Sequence, residues 1–188
     1  METSQAIHNR RSIRDYQPRA VEQPVIEAII NDAAQAPWTP ISAPEPWVFT
    51  VIRGAARIRD YGARALQFAR DNRPDREGWG WTERPDFSVF YNASTVVILS
   101  GKIGNPLALE ECTRAGQILT LSATARGLGS CWVGSPMLWL GDQPVRTELG
   151  IPTGFAPQAV FTLGYAAAIP QKPGSIQTRI TWLGGDEP

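Results

Sequence analysis

Three short apolar runs, Trp47–Ile52, Thr95–Ser100 and Gln158–Gly164, constrain this chain more than any other feature of its sequence. The first two are continuous rather than alternating, the pattern of strands covered on both faces, and the third reads as the last clear strand. All are far too short to cross a bilayer as helices. Between them the spacing turns helical. Thr3 or Ser4 can cap a short first helix over Gln5–Arg11. Pro24 suits the first turn of a second, whose Ile26, Ile29, Ile30 and Ala33 follow the i, i+3, i+4, i+7 spacing of a buried stripe. Ala55–Ala69 reads as a third. A fourth starts at Asn105-Pro106 and ends at Gly127, with Ala115, Ile118, Leu119, Ser122 and Arg126 along one stripe. Asp142 and Pro144 open a short helix that Gly150 stops.

The connections are uneven. Ala36–Pro46 is a loop with four prolines, and Ser130–Gly134 is a strand or tight loop. Asp71–Phe87 is a polar excursion that sets Trp79 and Trp81 between glycines, and loops of that length in compact domains are often functional. From Ala166 onward the chain is broken by proline and glycine and carries isolated apolar residues, Ile180, Trp182 and Leu183. Such a tail needs a surface, either a second copy of the chain or its own subunit, and the sequence favours neither.

Length and composition bound the function. A chain of 188 residues is expected to form one domain, spanning 1–188. Ordinary apolar content, 43%, and zero formal net charge exclude general disorder and argue against nucleic acid as a partner. No membrane association is expected. Met1–Ser12 lacks the apolar stretch of a secretory signal, and two cysteines make no disulfide framework, so a reducing cytoplasm is the expected location. Cys112 and Cys131 sit in apolar contexts and read as buried, inert thiols. His8 is the one histidine, which excludes a histidine-based zinc site. Glu110 and Glu111 would point to different faces of a helix, so they are not expected to form a dyad. With no nucleophile–base set and no metal cluster in view, an enzyme of this sequence would leave its reaction to an organic cofactor.

Two constellations could hold one. Arg10-Arg11-Ser12-Ile13-Arg14 sets three guanidiniums and a hydroxyl within five residues, and such forks match phosphate oxygens bidentately. Taken alone, a solvated basic turn is the simpler account. Gly127-Leu128-Gly129-Ser130-Cys131-Trp132-Val133-Gly134 could bring free backbone amides close to a ligand. It is not a dinucleotide fingerprint, because Trp132 stands where a third glycine is required and a helix rather than a strand precedes it. Taken alone, a glycine cap leading to a core strand explains it better.

Taken together and in order, these segments resemble the nitroreductase-like family of FMN-dependent oxidoreductases over nearly the full length. Arg10 to Tyr16 resembles that family's R-R-S-x-R-x-[FY] segment. Glu45-Pro46-Trp47, Phe90-Tyr91-Asn92-Ala93, the run from Glu111 through Gly134, Leu149-Gly150-Ile151-Pro152 and Leu163-Gly164-Tyr165 are similar to its later motifs. The resemblance implies an α+β fold with a mixed central β-sheet flanked by helices, in a homodimer with exchanged C-terminal segments. It implies FMN at the subunit interface, with Arg10, Ser12 and Arg14 on the phosphate and ribityl end and Arg11 contributing side chain or backbone. Backbone at Trp132, Val133 and Gly134 would lie against the flavin ring. Pro37, Trp38 and Thr39 would close the site from the partner subunit, and Lys172 would sit near the phosphate. No catalytic side chain and no metal ligand are implied. The activity implied is ping-pong transfer of a hydride from NADH or NADPH through FMN to a small electron-poor acceptor such as a nitroaromatic or quinone. The alternatives are an FMN-dependent dehydrogenase or oxidase not driven by NAD(P)H, and a non-enzymatic flavin-binding scaffold. Trp38, Trp79 and Trp81 are candidate walls for a flat substrate. The chain departs from the family in a longer loop over Trp38–Glu45, in Glu45, Ser94 and Ile118, and in Lys172-Pro173-Gly174, where the family's arginine is absent.

Overall fold

The computed structural model describes residues 1–74, 77–171 and 177–184. Four strands, β1 (Trp47–Arg53), β2 (Thr95–Lys102), β3 (Gly129–Trp132) and β4 (Phe155–Gly164), form one sheet in the order β1-β2-β4-β3. Among the described residues six α-helices accompany them: α1 (Thr3–Asn9), α2 (Gln23–Ala33), α3 (Ala55–Asn72), α4 (Ala108–Ala125), α5 (Met137–Leu140) and α6 (Gln143–Glu148).

The sheet corrects the mixed sheet expected. Every pairing among the four strands is antiparallel. Parallel pairing is confined, among the described residues, to one bridge between Ser12 and Ser130 outside the strands. β2 and β3 both run antiparallel to β4 and so share a direction, as expected for two strands joined by a helical crossover, but they are not neighbours in the sheet. The crossover from β2 through α4 enters β3 at the far edge, and β4 then runs between them.

β2 shows why its run is continuously apolar. Val97 and Leu99 pack with α2 and α4, while Val96 and Ile98 pack with α3, α5 and α6 on the opposite face. Successive side chains point to opposite faces, so a strand covered on both sides must be apolar at every position. β1 reads the same in sequence but lies at the edge, and most of it is half-buried or exposed, with Trp47 and Ile52 buried. β4 is longer than expected, beginning at Phe155.

α4 lies against β4 as closely as it does because residue 116 is glycine. A Cβ there would overlap the Phe161 ring. α1 starts earlier than expected, after Glu2, whose N–H donates to Gln5 Oε1 at 3.3 Å. At the other end, Ile180, Trp182 and Leu183 stand out from the chain, Trp182 at 83% exposure. No helix among the described residues is long and apolar enough to cross a membrane.

Candidate active site

Arg10 to Tyr16 leaves α1 as an extended arm beside β3. Ile13 N–H donates to Ser130 O at 2.9 Å, and further on Gln17 N–H donates to Tyr165 O at 2.8 Å. Tyr16 pins the arm, its hydroxyl bonding both Ile13 O and Thr162 Oγ1 at 2.8 Å. Burial pushes that phenol well above its ordinary pKa, so it stays neutral. Gly129 admits the arm sterically, since a Cβ there would meet Ile13 Cγ1 at 2.6 Å.

An extended segment alternates its side chains. Ile13 turns inward and is buried. Arg11 turns back on α1, its Nη1 donating to His8 O and Arg10 O at 2.8 Å each. Cations at a helix C-terminus satisfy carbonyls the helix leaves free. Arg10, Ser12 and Arg14 occupy the other positions of the alternation, close enough to Cys131 to act on its thiol. Burial raises that thiol's pKa, and the Arg14 charge, the Ser12 hydroxyl and the Arg10 charge act against the rise. Among the described residues neither Arg10 nor Arg14 has a carboxylate partner. Two guanidiniums without carboxylate partners and a hydroxyl, at alternate positions of one short arm, supply the donors an anion would need.

The glycine bend divides its labour. Gly127 takes a φ of +76° and ends α4, with Leu128 N–H donating to Ala123 O at 2.9 Å. Here the glycine-cap account is the correct one. Gly129 makes room for Ile13. Only past the strand does the backbone open: Trp132 is half exposed, Val133 N–H is spent on Val160 O at 2.8 Å, and Gly134 N–H donates to no backbone carbonyl among the described residues. A Cβ at Gly134 would meet nothing within 4 Å. The Ser130 and Ser135 hydroxyls are buried and have no partner among the described residues.

α3 runs on to Asn72, so the excursion is shorter than expected, and its residues 77–87 return to this opening. A cleft of about 380 Å³ runs between Trp79 and Trp81 on one side and Gly134 and Ser135 on the other. From it an aromatic series leads back to the arm: Trp79 to Trp81 at 5.8 Å, Trp81 to Phe87 at 5.1 Å, Phe87 to Tyr91 at 6.3 Å, and the Arg14 guanidinium 5.9 Å from the Tyr91 ring centre. Tyr91 and Asn92 hold left-handed φ angles of 53° and 56°, a conformation that costs a non-glycine residue energy and gathers at functional sites.

Pro37, Trp38 and Thr39 do not join this group within the chain. Thr39 is tied to the N-terminal end of α4, whereas the arm lies by the strand that follows its C-terminal end, and an 18-residue helix is about 27 Å long. What holds this loop is Glu111, a residue the sequence reading set aside. Glu111 is fully buried and accepts from Thr39 N at 2.8 Å, Thr39 Oγ1 at 2.7 Å, Asn105 Nδ2 at 2.9 Å and the Ser42 hydroxyl. Burial alone would raise its pKa, but these donors outweigh it and hold the carboxyl below its usual range. A signal was present, since extending the stripe of Ala115 and Leu119 back by four residues reaches Glu111. Lys172 lies outside the described residues.

Comparison with known proteins bears on the fold and the family. The sequence pattern of the Nitroreductase family matches residues 7–165. A protein of Methanothermobacter thermautotrophicus named "Putative NADH dehydrogenase/NAD(P)H nitroreductase" is 28% identical over 178 residues, covering 90% of this chain and 80% of the relative. The crystal structure of a nitroreductase with bound FMN from Bacteroides fragilis superimposes with a TM-score of 0.83 at 26% identity, covering 98% of this chain and all of that one. A nitroreductase from Desulfitobacterium hafniense, 23% identical over 98% of this chain and all of its own, shares the fold with a TM-score of 0.81. An arginine arm paired to the glycine bend, on an antiparallel sheet of this topology and with this match along the chain, shows that the protein belongs to the nitroreductase family.

Proposed function

We propose that the protein is an FMN-dependent oxidoreductase that draws on NADH or NADPH and reduces a small electron-poor acceptor such as a nitroaromatic or quinone. The pairing of the arm with β3 carries this reading, because it sets an anion site and an open backbone edge on one surface. The residues fit the cofactor. Arg10, Ser12 and Arg14 would hold the phosphate end, and Gly134, which has room and a spare N–H, would serve the ring, whereas Val133 N–H is already engaged. Bound there, FMN would supply two-electron redox chemistry between a nicotinamide donor and the acceptor.

The chain's own part is to bind, orient and exclude water. Arg10 and Arg14 fix the charged end, Tyr16 and Gly129 keep the arm in place, and Trp79 and Trp81 bound the space beside Gly134. Donor and acceptor would use that space in turn, giving ping-pong order. A homodimer with exchanged tails belongs to the same reading. It is supported by the bare Ile180, Trp182 and Leu183 and by the distance of residues 37–39 from the arm, which a second copy would close.

Purified protein is expected to carry, or to take up, yellow FMN that bleaches when NADH or NADPH is added without oxygen and recovers its colour when a quinone follows. A colourless protein that takes up no added FMN would overturn the reading.

A further inference from the structure

The cleft beside Gly134 has a composition of its own. Its lining residues are Glu77, Gly78, Trp79, Trp81, Gly134 and Ser135. The two indoles pack on each other with ring centres 5.8 Å apart and a tilt of 33°, and both present electron-rich aromatic surface to the cleft. Trp81 also packs on Phe87, ring centres 5.1 Å apart. Arg73, which leads into the excursion, is held away in an ion pair with Glu83 and donates to Thr82 Oγ1. Arg70 Nε is engaged by Thr82 O at 2.9 Å. Among the described residues Glu77 therefore supplies the one charge in the lining, and it is exposed at the rim. The Ser135 hydroxyl, buried and unpartnered among the described residues, is available to a polar atom of a ligand.

We propose that this cleft is the acceptor subsite and that Glu77, Trp79 and Trp81 select flat, electron-poor aromatic rings that are cationic over those that are anionic. The assignment of an acceptor rests on the function proposed above; the charge and stacking preference rests on the cleft itself. Indole faces attract electron-poor rings and cations through their quadrupole. A carboxylate at the rim adds Coulomb attraction for a positive ring and repulsion for a negative one, and that preference weakens as salt is added.

The test uses two unreactive probes of similar shape, N-methylquinolinium and naphthalene-2-sulfonate, titrated by calorimetry into the protein as purified. The cation is expected to bind about tenfold more tightly than the anion at low salt. Glu77→Gln should bring the two close together and Glu77→Lys should reverse their order. Trp79→Ala should weaken both by about threefold to tenfold with the ratio kept. FMN content, read from its absorbance, should not change in any variant. Equal binding of the two probes, or a ratio untouched by Glu77→Lys, would overturn the proposal. Loss of FMN in Trp79→Ala with probe binding intact would also overturn it, by giving the cleft to the cofactor. A protein that takes up no flavin but keeps the probe preference would sink the proposed function and leave the cleft's selectivity standing.

Discussion

Arg11 and Arg14 stand three residues apart in one extended arm, and alternation sends them to different tasks. Arg11 closes the end of α1 through two carbonyls, while Arg14 faces Cys131 beside Ser12 and Arg10. Arg14→Ala should weaken FMN by about tenfold to a hundredfold, since a charge-assisted bond is typically worth about 1.5–3 kcal/mol. Arg11→Ala should lower thermal stability and spare FMN affinity, a split that flavin titration and melting curves read separately. The thiols make a second expectation. Burial pushes Cys112 up to about 12 and raises Cys131, so neither forms thiolate near neutrality. Both should resist a thiol reagent at pH 7.5 in the folded protein and react at once in denaturant; fast labelling of native protein would count against the packing around β3 and α4. At this scale the arginines were legible because charge clusters show in one dimension. Glu111 was not, because its partners Thr39, Ser42 and Asn105 come from elsewhere in the chain and only folding collects them.

Among the elements, α4 bears the most constraint. It packs on β4 through Gly116 and anchors the proline-rich loop through Glu111. Gly116→Ala forces a methyl into the Phe161 ring and should cost about 1–3 kcal/mol in urea unfolding. Glu111 also gives the fold a pH dependence. Its folded pKa lies below the ordinary 4.5, so its contribution is complete above that value and disappears as pH falls through the folded pKa. Wild-type protein should lose stability below about pH 4.5 more steeply than Glu111→Gln, which has no charge to protonate there. Parallel acid curves for the two would show that the Glu111 carboxylate contributes nothing. Strand and helix positions were readable from periodicity to within a few residues. The antiparallel sheet was not, since the order of strands depends on which edges meet. The edge position of β1 was hidden for the same reason: a run that is apolar at every position reads as buried, whereas here much of β1 lies open.

At the scale of the whole molecule, one edge of the sheet carries the arm and the bend, with the aromatic cleft beside Gly134, while the loop at Pro37–Thr39 is tied to the far end of α4. If a second copy completes the site, deleting residues 177–188 should shift the protein toward monomer in sedimentation and lower FMN retention together. Monomer with full FMN retention would separate the tail from the site. The central claim concerns the meeting of Arg10, Ser12 and Arg14 with the open edge at Gly134 on a single phosphorylated flavin. The most direct measurement is the ratio of affinities for FMN and riboflavin, which differ by the phosphate alone, in wild type and in the Arg10→Ala, Arg14→Ala double variant. Wild type should prefer FMN by at least about tenfold, and the double variant should bind the two flavins alike, at close to the wild-type affinity for riboflavin. Equal affinity of wild type for both flavins, or an unchanged ratio in the double variant, would contradict the account.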